Sequence, residues 1–279
     1  MNWKSVKNLS NTNFRRMVGV ERSTFEIMST GLKPAWNQKL MNGGPSPKLS
    51  LENSLLLTLT YWREYSSFAK TGGYFKVSES TAFRIVIWTE NELIKLNCFH
   101  LPRKNSLYKN NYEFVKIDVS ECPIERPKKK QSGRHRNQQK HYYSGKKKKH
   151  SIKVQIVVEK GIILSTSFAN GKKHDFRMFK ESRLPIKKTT VAEVDLGYQG
   201  IKKYHANSTL PHKKTKKNPL SKEQKTQNKE QASNRVEVEH VFASIKRFKI
   251  FSQKYRNRRK RFGLRFNLIA SIHNMEWNA

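Results

Sequence analysis

Near residue 112 the spacing of apolar side chains changes from a helical period to alternation, and this change divides the chain into two kinds of structure. Upstream, in LSLENSLLLTLTYWREYSSF, Leu51, Leu55, Leu59 and Trp62 recur at helical spacing behind Ser50, a residue type suited to an N-cap. The next stretch, YSSFAKTGGYFKVSESTAFRIVIWTENELI, fits a short helix, a turn at Gly72 and Gly73, and a second helix capped by Ser78. This is helix-turn-helix spacing. Its second helix offers Ser80, Thr81 and Arg84 to a DNA groove, while Ala82, Ile85 and Ile87 pack. An ordinary helical hairpin has the same pattern, and the stretch alone leaves both open.

Downstream, YEFVKIDVS sets Val115, Ile117 and Val119 on one face and Lys116, Asp118 and Ser120 on the other, which predicts a strand carrying Asp118. SIKVQIVVE and GIILSTSFAN predict a hairpin turning at Lys160-Gly161, HDFRMFKES a short helix, and TTVAEVDLGYQG a strand ending at Asp195. A lysine-rich loop is expected over 205–231, then helices over about 233–249 and 260–277. The expected organisation is therefore an all-α region over 1–95, a linker over 96–111 and a mixed α/β domain over 112–279.

The charge names the class of partner. Lys and Arg number 57 against 21 Asp and Glu, a net +36 that repels itself in a compact state unless a polyanion neutralises it. Nucleic acid is the default polyanion, because each phosphate contact releases condensed counterions. No stretch approaches the roughly 20 apolar residues of a spanning helix, and MNWKSVKNLS has no apolar signal core, so no membrane role is expected. Cys98 and Cys122 lack disulfide or zinc-ligand spacing, which fits a reducing, cytoplasmic setting. Lys128, Lys129, Lys130, Arg134 and Arg136, with Lys146, Lys147, Lys148 and Lys149, flank the Asp118 strand. Lys213, Lys214, Lys216 and Lys217 precede the long helix, and Arg256, Arg258, Arg259, Lys260 and Arg261 follow it. These runs contain almost no acidic residue and are expected to track a nucleic-acid backbone; Tyr142, Tyr143 and Tyr255 stand where rings could stack on bases or pack.

A carboxylate at the end of a buried strand is costly unless something uses it, since desolvation penalises the charge. Asp118 and Asp195 each sit where an apolar strand gives way to a polar loop. In NRVEVEHVFASIKRF, stepping about 100° per residue places Val238, Val241, Phe242, Ile245 and Phe248 on one apolar face. Arg235, Glu239 and Lys246 fall on a narrow stripe at one border of that face, and Glu237 falls at the opposite border. By itself the stripe could equally hold an i, i+4 ion pair between Arg235 and Glu239.

At these residues the chain resembles the bacterial insertion-sequence transposases with a DDE triad, of the insertion-sequence-five type. The segments DVSECPIERPKK, HYYSGKKKKHSIKVQIVVEKGIILS, KKHDFRMF, EVDLGYQG and NRVEVEHVFASIKRF carry the likeness, in order, over most of the chain. The family's Arg, three residues, Glu, six residues, Lys signature is met by Arg235, Glu239 and Lys246. Ala232 replaces a Tyr that some relatives carry, and Leu196 stands where a polar residue is common. The resemblance implies a ribonuclease H-like mixed sheet with flanking helices, preceded by an all-α helix-turn-helix domain. It implies Asp118, Asp195 and Glu239 as catalytic residues and ligands of two Mg²⁺ or Mn²⁺ ions. Asp195 is favoured over Glu193 and Asp175 by its Asp-x-Gly-Tyr match. Arg235, Lys246, Lys146, Lys147, Lys148, Ser80, Thr81 and Arg84 are the expected DNA contacts. The implied partner is double-stranded DNA, as terminal inverted repeats and target, held by a homodimer associated with the nucleoid in the bacterial cytoplasm. The alternatives are a non-catalytic DNA-binding regulator and a decayed, inactive transposase.

Overall fold

The computed structural model describes residues 2–128, 137–215 and 219–277. The chain forms two compact units: Met1–His100 with Ile245–Gln253 and Arg261–Ala279, and Leu101–Ser244 with Lys254–Lys260. The first break, after His100, lies within the 96–111 stretch, and the two C-terminal pieces group with the N-terminal helices.

In chain order, the first unit begins with α1 (Trp3–Val6), α2 (Asn11–Val18), α3 (Arg22–Met41), α4 (Leu51–Glu64), α5 (Phe68–Tyr74) and α6 (Glu79–Leu93). The second holds α7 (Ser106–Lys109), β1 (Phe114–Pro123), α8 (Gln138–Tyr142), β2 (Tyr143–Ser144), β3 (Lys149–Glu159) and β4 (Ile162–Asn170). It continues with α9 (Asp175–Ser182), β5 (Val191–Glu193), β6 (Ser208–Thr209) and most of α10 (Lys222–Lys246). The short α11 (Lys249–Ser252) and α12 (Phe262–Trp277) return to the first unit.

Serine caps set the helix starts of the first unit. Ser50, Ser67 and Ser78 each accept a hydrogen bond from the backbone N–H three residues on, at 3.3, 3.2 and 3.3 Å. The expected turn at Gly72-Gly73 lies slightly later: both glycines close α5, and the chain turns over Phe75–Val77 with Lys76 left-handed at φ 55°. Gly72 is needed there because a Cβ would stand 2.6 Å from the Val77 carbonyl oxygen. On α6 the buried face is Ala82, Val86, Thr89, Glu90 and Leu93, while Ile85 and Ile87 are only half-buried.

Glu90 is fully buried, yet its charge is answered on all sides. Trp62 donates through Nε1 at 3.1 Å, Arg265 of α12 through Nε at 2.6 Å, and Arg261 through Nε at 2.5 Å. Two arginines contributed from far along the chain thus neutralise a carboxylate on α6.

In the second unit the strand order is β2-β3-β1-β5-β6, with β4 also paired to β3. β1 runs antiparallel to β3 and parallel to β5, giving the mixed sheet with flanking helices expected of a ribonuclease H-like domain. The hairpin turns at Lys160 and Gly161, both with positive φ, as its sequence predicts. Val115, Ile117, Val157, Leu164, Ala192, Val194 and Tyr198 belong to one buried cluster. Val238, Val241 and Phe242 are buried on α10, so the apolar face read from the sequence is the one that packs. α10 starts at Lys222, eleven residues before the expected start, within the segment expected to be a loop.

Glu90→Ala would leave the buried guanidinium of Arg265, and the half-buried one of Arg261, without their carboxylate. The expected loss is about 3–5 kcal/mol of stability, read as a shift in denaturant midpoint, the scale for breaking a buried ion pair by removing one partner.

Candidate active site

Asp118 lies in the middle of β1, opposite Ile156 of β3. On the other edge the parallel register sets Lys116 against Glu193. Asp195 stands two residues past that last paired position. There the chain leaves the ladder: Asp195 caps a one-turn 3-10 helix over Leu196–Tyr198, its Oδ1 accepting from the Gly197 N–H at 2.8 Å.

Asp118 Oδ1 accepts from the Val119 N–H at 2.8 Å, and Oδ2 faces Arg235 Nη2 at 3.4 Å. Burial raises the Asp118 carboxyl above the usual carboxylate range. Arg235 and the Val119 N–H pull the other way, and the neighbouring Asp195 adds to the rise. Two carboxylates therefore share one field, with a guanidinium as the cation beside Asp118.

A third carboxylate adjoins them. Asp175, the first residue of α9, accepts from Lys153 Nζ of β3 at 2.7 Å. A Cβ placed on Gly197 would lie 2.9 Å from Asp195 Oδ1 and 3.2 Å from Asp175 Oδ2. The absent side chain of Gly197 is what lets the two carboxylates approach. Beneath them Tyr198 is fully buried, with its hydroxyl 3.5 Å from Gln155 Oε1. Its phenol is held well above the ordinary value by burial, then by the charges of Asp118, Asp175 and Asp195.

The border residues of α10 part company. Arg235 turns to Asp118 rather than to Glu239. Glu237 pairs with Lys116 of β1 and accepts from the Gly161 N–H, tying α10 to the strand and to the hairpin turn. Glu239 is exposed one turn beyond Arg235, and Lys246 is half-buried two turns further. Among the described residues no three of His, Cys, Asp and Glu stand close enough to hold a metal ion. The structure thus brings Asp118, Asp195 and Arg235 together and leaves Glu239 at the solvent edge of the same helix. Glu193 belongs elsewhere: its carboxyl is raised by burial, with Lys116 lowering it and Glu237 raising it.

Of the expected DNA contacts, Ser80 and Arg84 are exposed and Thr81 half-buried at the start of α6, where Arg84 Nε donates to the Ser80 carbonyl at 3.3 Å. Lys146, Lys147 and Lys148 are exposed between β2 and β3. Tyr255 does not offer a stacking face, being 1% exposed with its hydroxyl donating to the Lys260 carbonyl at 2.6 Å. Lys129, Lys130, Arg134, Arg136, Lys216 and Lys217 lie outside the described residues. Sequence reasoning passed over Lys153 and Tyr198, although Tyr198 ends the Asp-x-Gly-Tyr motif.

Two outcomes follow from this geometry. Gly197→Ala is expected to displace Asp195 or Asp175 and to cost on the order of 100-fold in turnover, the scale of a 1 Å misplacement. Asp118→Asn should raise the melting temperature at neutral pH. A carboxyl whose folded pKa is raised stabilises the fold while protonated, and that contribution is lost as pH climbs through the folded value. The gain of the Asn variant must therefore shrink as pH falls through the raised folded value and be gone below about 3.9, the free Asp value; a gain that persists there would contradict the assignment.

Residues 117–274 match the family model described as DDE superfamily endonuclease. Residues 47–98 match the model described as the helix-turn-helix of DDE superfamily endonuclease. A probable transposase for insertion sequence element IS702, from Microchaete diplosiphon, is 41% identical over 280 residues, covering 99% of this chain and 98% of that one. Among solved structures, a pre-cleavage Mos1 transpososome aligns with a TM-score of 0.29 at 10% identity, over 85% of this chain and 79% of that one. A Mos1 transposase paired-end complex with left transposon end gives 0.22 at 11%, over 61% and 60%. Likeness at that level carries no argument. The family model and the relative do: the chain belongs to the DDE superfamily endonucleases, among the insertion-sequence transposases.

Proposed function

We propose that this protein is a DNA transposase that cleaves the ends of its insertion element and joins the freed 3′-hydroxyl to target DNA. The observation that carries the reading is the proximity of Asp118, on β1, and Asp195, just past the paired end of β5. There the charge of Asp195 raises the cost of charge on Asp118, and a cation is the physical remedy. The relative described as a probable transposase supports the same activity.

The donor chemistry fits hard divalent ions. Carboxylate oxygens suit Mg²⁺ or Mn²⁺, and Arg235 beside Asp118 marks where positive charge is already favoured. Asp118 and Asp195 would hold the ions, with Glu239 completing the set from α10; its exposed side chain lies on the helix that already delivers Arg235. Bound there, two ions would supply Lewis-acid stabilisation of an in-line phosphodiester displacement. Arg235, released from Asp118, and Lys246 on the same stripe would hold phosphate oxygens, a task for which the guanidinium fork is suited. Buried Tyr198 excludes water below the carboxylates and, with its phenol held protonated, adds no further negative charge. Water would be the first nucleophile and the 3′-hydroxyl the second.

In this reading the helix-turn-helix engages duplex DNA with Ser80, Thr81 and Arg84, while Lys146, Lys147 and Lys148 contact the backbone. Two element ends must be held at once, so a homodimer is proposed as the working assembly, in the bacterial cytoplasm at the nucleoid.

The test uses purified protein, Mg²⁺ and a duplex bearing the flanking inverted repeats. Wild type should nick the element end and join a pre-cut end, and chelation should stop both. Asp118→Asn, Asp195→Asn and Glu239→Gln should bind the duplex but not nick it. Binding without nicking by wild type would replace this proposal with a regulator or a decayed copy; nicking without joining would reduce it to a nuclease.

A further inference from the structure

Between two stretches of the first unit the chain makes a short excursion. After α11 it leaves the first unit for seven residues, Lys254–Lys260, and then returns to it in α12. Five of those seven are Lys or Arg, and Tyr255 alone is buried. Tyr255 clips the excursion onto the end of β1: its N–H donates to the Pro123 carbonyl at 2.9 Å, and its own carbonyl accepts from the Glu125 N–H at 3.1 Å. The result is a cleft of about 690 Å³ lined by Glu125, Arg126, Lys128, Arg258, Arg259 and Lys260, with Pro127 and Gln138. Its lining carries five cations and a single carboxylate.

The cations are oriented, not merely adjacent. Arg259 donates through Nη2 to Gln138 Oε1 at 2.8 Å, and its guanidinium lies 4.6 Å from the centroid of the Tyr142 ring. Arg126 Nη2 donates to Gln139 Oε1 at 3.1 Å, and Gln139 is itself anchored on the Pro127 carbonyl at 2.7 Å. Amides and a ring fix both arginines without neutralising them; no ion pair to Arg126, Arg258, Arg259 or Lys260 occurs among the described residues. Arg258 and Arg259 are also consecutive left-handed residues, at φ 46° and 67°. Non-glycine residues held in that region cost of order 1–3 kcal/mol each and cluster where a site dictates the backbone. A solvated lysine run would relax instead.

We propose that this cleft is a phosphate-backbone clamp for duplex DNA, separate from both the carboxylate site and the helix-turn-helix. Resting on the transposase reading above, it places the gripped phosphates relative to the cut. Ile124, the residue after β1 and bridged to Tyr255, stands six residues beyond Asp118, or about 20 Å at about 3.3 Å per residue of extended chain. At about 3.4 Å per base pair this is about six pairs from the bond being cut. The cleft cannot touch the reacting phosphate; it holds the duplex so that a remote phosphate enters the carboxylate site in register.

Full-length protein without divalent metal, titrated onto an element-end duplex across a salt series, tests the clamp independently of chemistry. Arg258→Gln with Arg259→Gln should lower the slope of log affinity against log salt by about two, at about 0.9 per lost phosphate contact. The corresponding Lys pair should retain the slope. Phosphate-ethylation interference should show sensitive positions about six base pairs from the cut with wild type, and these alone should vanish with the Gln pair. An unchanged slope and an unchanged interference pattern would overturn the clamp. Should the Gln pair melt early, Arg126→Gln carries the same expectation at about one unit of slope. The catalytic reading fails separately: nicking by Asp118→Asn would sink it while leaving the slope difference standing.

Discussion

The hydrogen-bond ladders on both edges of β1 are the constraint on which the second unit depends. One edge is antiparallel to β3 and the other parallel to β5, and a strand paired on both sides cannot slip without turning its apolar set outward. Several side chains of the candidate site are placed by that fixed register. Lys116 reaches Glu237 and holds α10, Asp118 meets Arg235 and the field of Asp195, and Glu121 accepts from Ser144 and Ser151. The same strand then ends under the clip made by Tyr255.

Electrostatics in this protein works at two ranges. The net charge of +36 acts over the surface and is screened within about 10 Å at about 0.1 M salt. Within the sheet the sign reverses locally, with Asp118, Asp175 and Asp195 grouped over Tyr198 and partly offset by Arg235 and Lys153. In the proposed function the basic surface would draw a polyanion and the acidic group a small cation. Neither range does the work of the other.

Much of this was legible in the sequence because local rules and tertiary packing agree there. The serine caps, the Lys160-Gly161 turn, the alternation around Asp118 and the apolar face of Val238, Val241 and Phe242 are set by period and backbone preference. Other features depend on partners distant in sequence. The start of α10 at Lys222 is hidden because KEQKTQNKEQASN has no apolar residue except Ala232, too few to mark a period. Arg235 had a plausible partner four residues away, yet faces Asp118, 117 positions earlier. Burial of Tyr255 reflects its docking on β1, which no local pattern announces. The place of Glu239 in the site was read from its helical stripe and a family signature, and its exposed side chain leaves that reading to the nicking test.

The answered charge on Glu90 also orders events during synthesis. α6 emerges early, with a buried carboxylate whose counter-charges, Arg261 and Arg265, are translated some 170 residues later. At roughly 5–20 residues per second the ribosome leaves that helix without its partners for about ten seconds or longer, while the strands of the second unit are already emerging. The first unit to begin is thus the last to close, and a nascent chain answers the charge on Glu90 only once the segment bearing its candidate carboxylate site has also been made.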